Sequence, residues 1–239
     1  MKLSIIWGIY RYMSGRISYY GGIVGDGLVL HLDAGKKDSY PGSGTLWRDL
    51  SGNLNNGTLS GSPAFSSVNG GSIVFDGSDD YVLLNSSILN NTYTIDSWIY
   101  MLGNRFTIFS NLDNDTNVKS NQFGTDGSRN IYFQISLSNN TYFYTTTTTT
   151  LNTNQWYNLS FTRTGSVAKI YLNGVEITIS VVGSSSLNLQ MYTSNYVVGR
   201  NTSSNYTNGY LPNLKIYNRS LSPSEVLQNY NATKSRFGL

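Results

Sequence analysis

The sequence predicts an all-β chain folded as a two-sheet antiparallel sandwich. Three observations carry that expectation. Charged residues are only 12% of the 239-residue chain while Asn, Ser, Thr, Gly and Tyr abound, so solubility rests on amides and hydroxyls, which favour turns and strand faces over helices. Short β-branched or aromatic runs recur, each closed by Gly, Asn, Asp or Ser, at the spacing of a sandwich. Segment 156–179 reads as a complete three-stranded meander. The length suits one large β domain with a single core.

Residues 1–26 are apolar, aromatic and glycine-punctuated, with no period sustained long enough to build a domain of their own. Met1–Tyr10 has the charged and apolar regions of a secretory leader, but Arg11 interrupts it and Arg16 follows without a small-residue cleavage site. The run is too short to span a bilayer. Ile5, Ile6, Trp7, Ile9, Tyr10 and Tyr12 carry more apolar surface than a solvated tail should, so the segment reads as an arm that docks on a partner. The alternative is an extra edge strand on its own sandwich.

The sandwich is expected over 27–221. "LVLHLDA" (28–34) is its first strand candidate, and the turn-rich excursion 35–57 is expected to be ordered, pinned to the core by Trp47 and Leu50. Strands follow at 72–77, 80–85, 93–101, 106–111 and 131–137. "TYFYTTTTTTL" (141–151) leaves its register open because threonine suits either face; it reads as an edge strand or a loop. In the meander, Leu159 and Phe161 alternate with polar residues, Thr164-Gly165-Ser166 turns the chain, and Ile170 and Leu172 alternate again. Asn173-Gly174 then supplies the positive-φ pair of a type I′ turn before Val175, Ile177 and Ile179. Strands at 196–201 and 209–221 complete the sheets. Over 222–239 the period changes: Ser222 suits an N-cap, Pro223 the first helical position and Glu225 the third, a capping box ahead of Val226, Leu227 and Tyr230. A short helix and a tail close the chain.

Composition also narrows function. The absence of cysteine excludes disulfides and thiolate metal sites and points to folding in the cytoplasm. A formal charge of +3 without any Lys/Arg run lacks the phosphate-neutralising stripe of a nucleic-acid binder. Neither nucleic acid nor membrane is expected as a partner. The many N-x-S/T triplets follow from an Asn/Ser/Thr-rich composition and imply no glycosylation.

Six motifs stand in a telling order: "GLVLHLDAG", W-x-D-L-S-G-N-x-N-N-G-T-L, "GSIVFDGSDDYV", "YTIDSWIY", "WYNLSFTR" with "KIYLNG", and "LKIYNRSLSPSEVLQNYNATKSRFGL". Over roughly residues 23–239 they resemble laminin G-like domains of the concanavalin A-like lectin/glucanase superfamily. More narrowly, the chain resembles stand-alone lectin-like proteins encoded by tailed bacteriophages. The resemblance implies two curved antiparallel sheets in a jelly roll, with ligands of some relatives on the concave face or loop rim. It does not imply one activity.

A glycosidase needs two carboxyls about 5–10 Å apart across a sugar. The chain has only two glutamates, Glu176 in the hairpin after Asn173-Gly174 and Glu225 in the capping box, so no enzyme is expected. Asp79 and Asp80, if on a strand, point to opposite faces. The single His31 reads as an ordinary strand histidine. Asp76-Gly77-Ser78-Asp79 reads as a tight turn, with Asp76 bonding backbone N–H groups ahead of it and Gly77 supplying permissive φ. The alternative, suggested by relatives that carry a structural calcium, uses Asp76, the Gly77 carbonyl and Asn213 as oxygen ligands. Segment 110–121 reads as a solvated loop whose Asp113, Asp115 and Asn117 are candidate sugar contacts, together with Tyr132, Tyr142 and Tyr144, whose rings can stack on sugar C–H faces.

The function expected from the resemblance is a non-enzymatic virion structural protein, made in the host cytoplasm and displayed on the virion surface. It would be a capsid decoration or head-associated protein, homo-oligomeric on the particle, docked to virion proteins through the N-terminal arm and exposing a surface for cell-surface glycan. The alternative is a carbohydrate-binding module of a tail fibre or a free lectin.

Overall fold

A computed structural model of the chain describes residues 22–84, 88–89, 91–111, 121–136, 142–183, 196–201 and 205–239, with the backbone alone for 136, 142–144 and 182–183. Local turn chemistry acts where the sequence places it. β12 (Trp156–Thr164) and β13 (Val167–Leu172) pair with Thr164 opposite Val167. Asn173 and Gly174 at φ 52° and 80° then return the chain into β14 (Val175–Ile177). The meander ends two residues earlier than expected: after Ile177 the chain crosses to the other sheet and pairs there as β15 (Ser180–Gly183).

The first sheet runs β14, β13, β12, β7 (Thr92–Met101), β17 (Asn208–Tyr217), β5 (Ser72–Asp76), β4 (Ala64–Ser66), with β1 (Leu28–Asp33) also on β17. The second runs β15, β11 (Tyr142–Thr150), β10 (Asn130–Ser136), β9 (Asn121–Thr125), β8 (Phe106–Asn111), β16 (Tyr196–Val198), β6 (Tyr81–Leu84), β3 (Gly57–Ser60), β2 (Leu46–Trp47). Pairing within both is antiparallel, and the inner faces meet in one core around Leu30, Phe75, Ile95, Phe123, Phe161 and Leu214. The threonine run is a strand rather than a loop, and β15 covers the outer side of β11 from Phe143 to Thr146. β9 escapes the sequence pattern: its five residues are all buried, but only Phe123 and Thr125 are strand formers. Gly124 is required there, since a Cβ would lie 2.0 Å from the Phe106 carbonyl oxygen.

The excursion 35–57 is ordered around Trp47, which is wholly buried, and around the Asp49 carboxylate. That carboxylate accepts from the backbone N–H groups of His31, Ser51 and Asn55 at 2.8–3.0 Å. Ile23 and Val24, within the segment read as an arm, are buried with Leu28, Tyr217, Leu221 and Val226. Val24 N–H donates to Asn229 Oδ1, and Gln228 donates to the Gly22 carbonyl. Residues 22–26 thus pack into the domain, while Ile5, Ile6, Trp7, Ile9, Tyr10 and Tyr12 lie outside the described residues.

Helix α1 (Pro223–Thr233) has the expected capping box between Ser222 and Glu225. Arg219 grips the same Glu225 at 2.6 and 2.9 Å, which holds that carboxyl down at a pKa of about 2. α1 and the tail lie on the outer face of the first sheet, where strand register stacks side chains in rows. One row is His31–Lys215–Asp96–Ser160, and the next is Asp33–Asn213–Trp98–Asn158. Trp98 stacks on Tyr230 and Phe237 and donates its indole N–H to Thr233 at 2.8 Å. Arg236 reaches back to Asp33 and to the carbonyls of Asn69 and Gly71. A recess of about 210 Å³ remains under the helix, lined by residues including His31, Asp33, Lys36, Asn213, Lys215 and Arg236.

His31 occupies a strand, as expected, but its Nδ1 is buried without a hydrogen-bond partner among the described residues. Burial, followed by the nearby Lys215 charge, lowers its pKa from 6.5 to about 4. The unfolded chain therefore binds this proton near pH 6.5 and the folded chain only near pH 4. The contribution is full above the upper value and drains as pH falls towards the lower, by up to about 3 kcal/mol. Denaturant titrations of wild type and His31→Gln across that window should show the acid-side loss in wild type and a flatter profile in the variant.

Candidate functional site

The third row on the same outer face lies beyond the reach of the helix. Register sets Tyr210 of β17 opposite Tyr100 of β7, and Trp156 of β12 on the other side of Tyr100. Three half-buried rings from three adjacent strands thus form a strip, since residues opposite each other in a ladder share a face. Tyr100 meets Trp156 at 5.1 Å between centroids and Tyr210 edge-on at 5.5 Å. Phe237 of the tail closes one end, 4.6 Å from Trp156.

These rings line a groove of about 320 Å³, with Leu102, Ser66, Val68 and Asn69 on its other walls. The 66–69 wall is fixed by a backbone clasp: Asn69 donates to the Arg236 carbonyl at 3.1 Å, and Arg236 Nε donates to the Asn69 carbonyl at 2.6 Å. Asn69 adopts a left-handed φ of 52°, and Gly71, at φ 119°, has no room for a Cβ beside the Ala34 carbonyl. The floor is therefore aromatic, and Ser66 and Asn69 put polar groups on walls shared with Val68 and Leu102. Among the described lining residues there is no carboxylate, imidazole or ammonium group, so the groove can stack flat apolar faces and hydrogen-bond their edges, but it offers no acid–base pair.

The residues singled out in the sequence fall elsewhere. Tyr132 is buried and donates its hydroxyl to Gln122 Oε1 at 2.8 Å. Tyr142 and Tyr144 lie in β11 without described side chains, and Asp113, Asp115 and Asn117 lie outside the described residues. Asp76 and Gly77 form the expected turn: Asp76 Oδ1 accepts from Ser78 N–H at 2.7 Å and Gly77 has φ 86°. Asn213 does not join them. Asn208 stands opposite Asp76, and Asn213 lies five positions along β17 opposite Asp33 and Trp98, roughly 17 Å away at strand rise.

Asp79 and Asp80 are brought together rather than divided, because they belong to the crossing turn between the sheets, where strand alternation does not hold. One carboxylate oxygen each from Asp76, Asp79 and Asp80 lies within 4.8 Å of the others. Asp80 is buried, and its carboxyl is raised above the usual range by desolvation and by the charges of Asp76 and Asp79. Asp80 Oδ2 accepts from Asp76 N–H at 3.1 Å, so other oxygens of the cluster remain for a divalent cation. The three aromatic positions escaped sequence reading because their common face depends on cross-strand register; their one local signal is an aromatic at alternate outward positions of strands already recognised.

Comparison with known proteins agrees with this architecture. A family profile described as the Concanavalin A-like lectin/glucanases superfamily matches residues 76–227, more than half of the chain. No curated protein sequence matches it. Among solved structures, domain 4 of AbnA, a GH43 extracellular arabinanase from Geobacillus stearothermophilus in complex with arabinotriose, is similar at TM-score 0.67 and 21% identity, over 86% of this chain and 98% of that one. The binding domain of Paraclostridial Mosquitocidal Protein 1 is similar at TM-score 0.65 and 17% identity, and the receptor binding domain of a botulinum neurotoxin C/D mosaic serotype at 0.66 and 17%. Each of these two is covered over 87% of this chain, which spans about half (52%) of their length. At such identities the likeness is one of fold. Two antiparallel sheets closed by a capped helix, together with the profile match, place this chain in the concanavalin A-like lectin/glucanase superfamily.

Proposed function

We propose that the protein is a non-catalytic carbohydrate-binding domain whose ligand lies in the Tyr100–Trp156–Tyr210 groove. The aromatic strip carries this reading: pyranose and furanose rings present C–H faces that stack on such a floor, while Asn69 and Ser66 can bond hydroxyls at the edge. It is supported by the arabinotriose complex of the similar arabinanase domain. The absence of catalysis is supported by where the two glutamates are held. Glu176 pairs with Lys169 on an edge strand, and Glu225 is engaged by Arg219 and the helix cap. In titrations against arabinotriose and a neutral glycan panel, Trp156→Ala and Tyr210→Ala should each weaken the best ligand roughly tenfold or more. Unchanged affinity in both would remove the groove from the binding surface. Reducing-sugar release that is abolished by one Asp or Glu substitution would overturn the non-catalytic assignment.

The Asp76–Asp80 turn is proposed as a calcium position that stabilises the sheet crossing, with Asp76, Asp79 and Asp80 as ligands and Asn213 excluded. Calcium should raise the melting temperature by mass action, and Asp76→Ala should abolish the increment. Indifference of the wild type to both calcium and EDTA would leave the turn as purely structural.

Display on a virion, as a decoration or head-associated protein, is the setting we propose for this domain; the resemblance to phage-encoded lectin-like proteins and the apolar run at Ile5–Tyr12 support it. Because Gly22 and Val24 bond to the helix, the informative deletion is 1–21. It should leave a cooperatively folded domain that no longer joins the particle. Loss of folding would assign the segment to the core.

A further inference from the structure

At the rim where the chain crosses from β16 to β17, Arg200 lies beneath two tyrosines. Its guanidinium carbon is 5.1 Å from the Tyr81 ring centroid and 5.7 Å from that of Tyr206. The placement is built rather than incidental. Gly199, at φ 92°, turns the chain over Phe75, where a Cβ would come within 2.8 Å of the ring. Arg200 and Tyr206 form a bridge, and Asn201 and Asn205 close the loop behind them. Yet Arg200 Nε is buried with no hydrogen-bond acceptor among the described residues. Arg219 and Arg236, by contrast, each hold a carboxylate. Among the described residues no ion pair joins Arg200 to a carboxylate.

A fork of donors flanked by rings that exclude water is matched to a planar carboxylate, which accepts two parallel N–H bonds. We propose that Arg200, between Tyr81 and Tyr206, is a second ligand site that takes the carboxylate of an acidic sugar. The proposal rests on the carbohydrate-binding reading but uses a different surface from the aromatic groove. A bare cation–π clamp would account for the two rings, but not for the buried donor left without an acceptor.

The test is calorimetric titration of the full chain with trigalacturonate, its methyl ester, 3′-sialyllactose and lactose. At least one acid should bind roughly tenfold or more tighter than its neutral counterpart, with the preference weakening in salt. The trigalacturonate arm identifies a uronate and the sialyllactose arm a sialic acid. Arg200→Lys keeps a cation over the rings but loses the fork, and it should abolish the preference without changing the melting temperature or neutral-glycan affinity. Trp156→Ala should do the reverse, so failure of the groove and failure of this site are separately visible. Equal binding of acids and neutral counterparts by the wild-type protein would overturn the proposal without any variant. So would an acid preference that survives Arg200→Lys.

Discussion

The outer face of the first sheet depends on one buried ion pair, Lys215 with Asp96, each about 1% exposed. Asp96 also accepts from Ser160 at 2.6 Å and from Asn158 at 3.3 Å, so its charge is spread over three donors. Charges removed from water are tolerated only when paired and bonded in this way. The pair therefore requires both a fixed register among β7, β12 and β17 and a cover that keeps water out. Helix α1 and the tail provide that cover, and the same packing brings Phe237 against Trp156 and Arg236 against Asn69. The groove is thus the boundary of the cover over the charge pair: the tail reaches the aromatic row only at Trp156, through Phe237, and leaves Tyr100 and Tyr210 open beyond it.

The arrangement suits the proposed binding role in a specific physical sense. The three rings come from paired strands rather than from loops, so little order has to be gained when a ligand stacks on them. Four carboxyls outside the acidic turn are, for their part, committed. Glu225 holds a helix N-terminus, Asp49 organises an excursion, Asp96 neutralises a lysine, and Asp33 fixes the tail through Arg236. Each is held by structural bonds.

What could be read from the sequence was set by the range of the signal. The Asn173-Gly174 hairpin and the Ser222–Glu225 capping box are written within four residues and appear as expected. β9 was invisible because its burial is imposed by β8 and β10, not by its own residues. The metal set shows the same limit. Asp76 and Gly77 were local, but the expectation that Asn213 joins them depended on the register of a strand remote in sequence, which sets Asn208 opposite Asp76 instead. Asp79 and Asp80 were misjudged by applying the period of a strand to residues that turn between sheets. The aromatic row is the extreme case: Tyr100, Trp156 and Tyr210 are 56 and 54 residues apart in sequence, and nothing short of the assembled sheet aligns them.

The crossing after Ile177 has a consequence for neighbouring copies. Because the chain leaves one sheet and enters the other within a few residues, β14 and β15 are terminal strands of their respective sheets. They are three and four residues long. An unpaired strand border is a template for another chain, and its danger grows with the number of free backbone groups in line. Here the line is cut into two short pieces, and the Lys169–Glu176 pair sits beside the first. Val175 and Val181 are exposed along these borders, so their apolar surface alone would invite zippering; the shortness of each piece denies it a template. Strands β14 and β15 are therefore poor templates for a second copy.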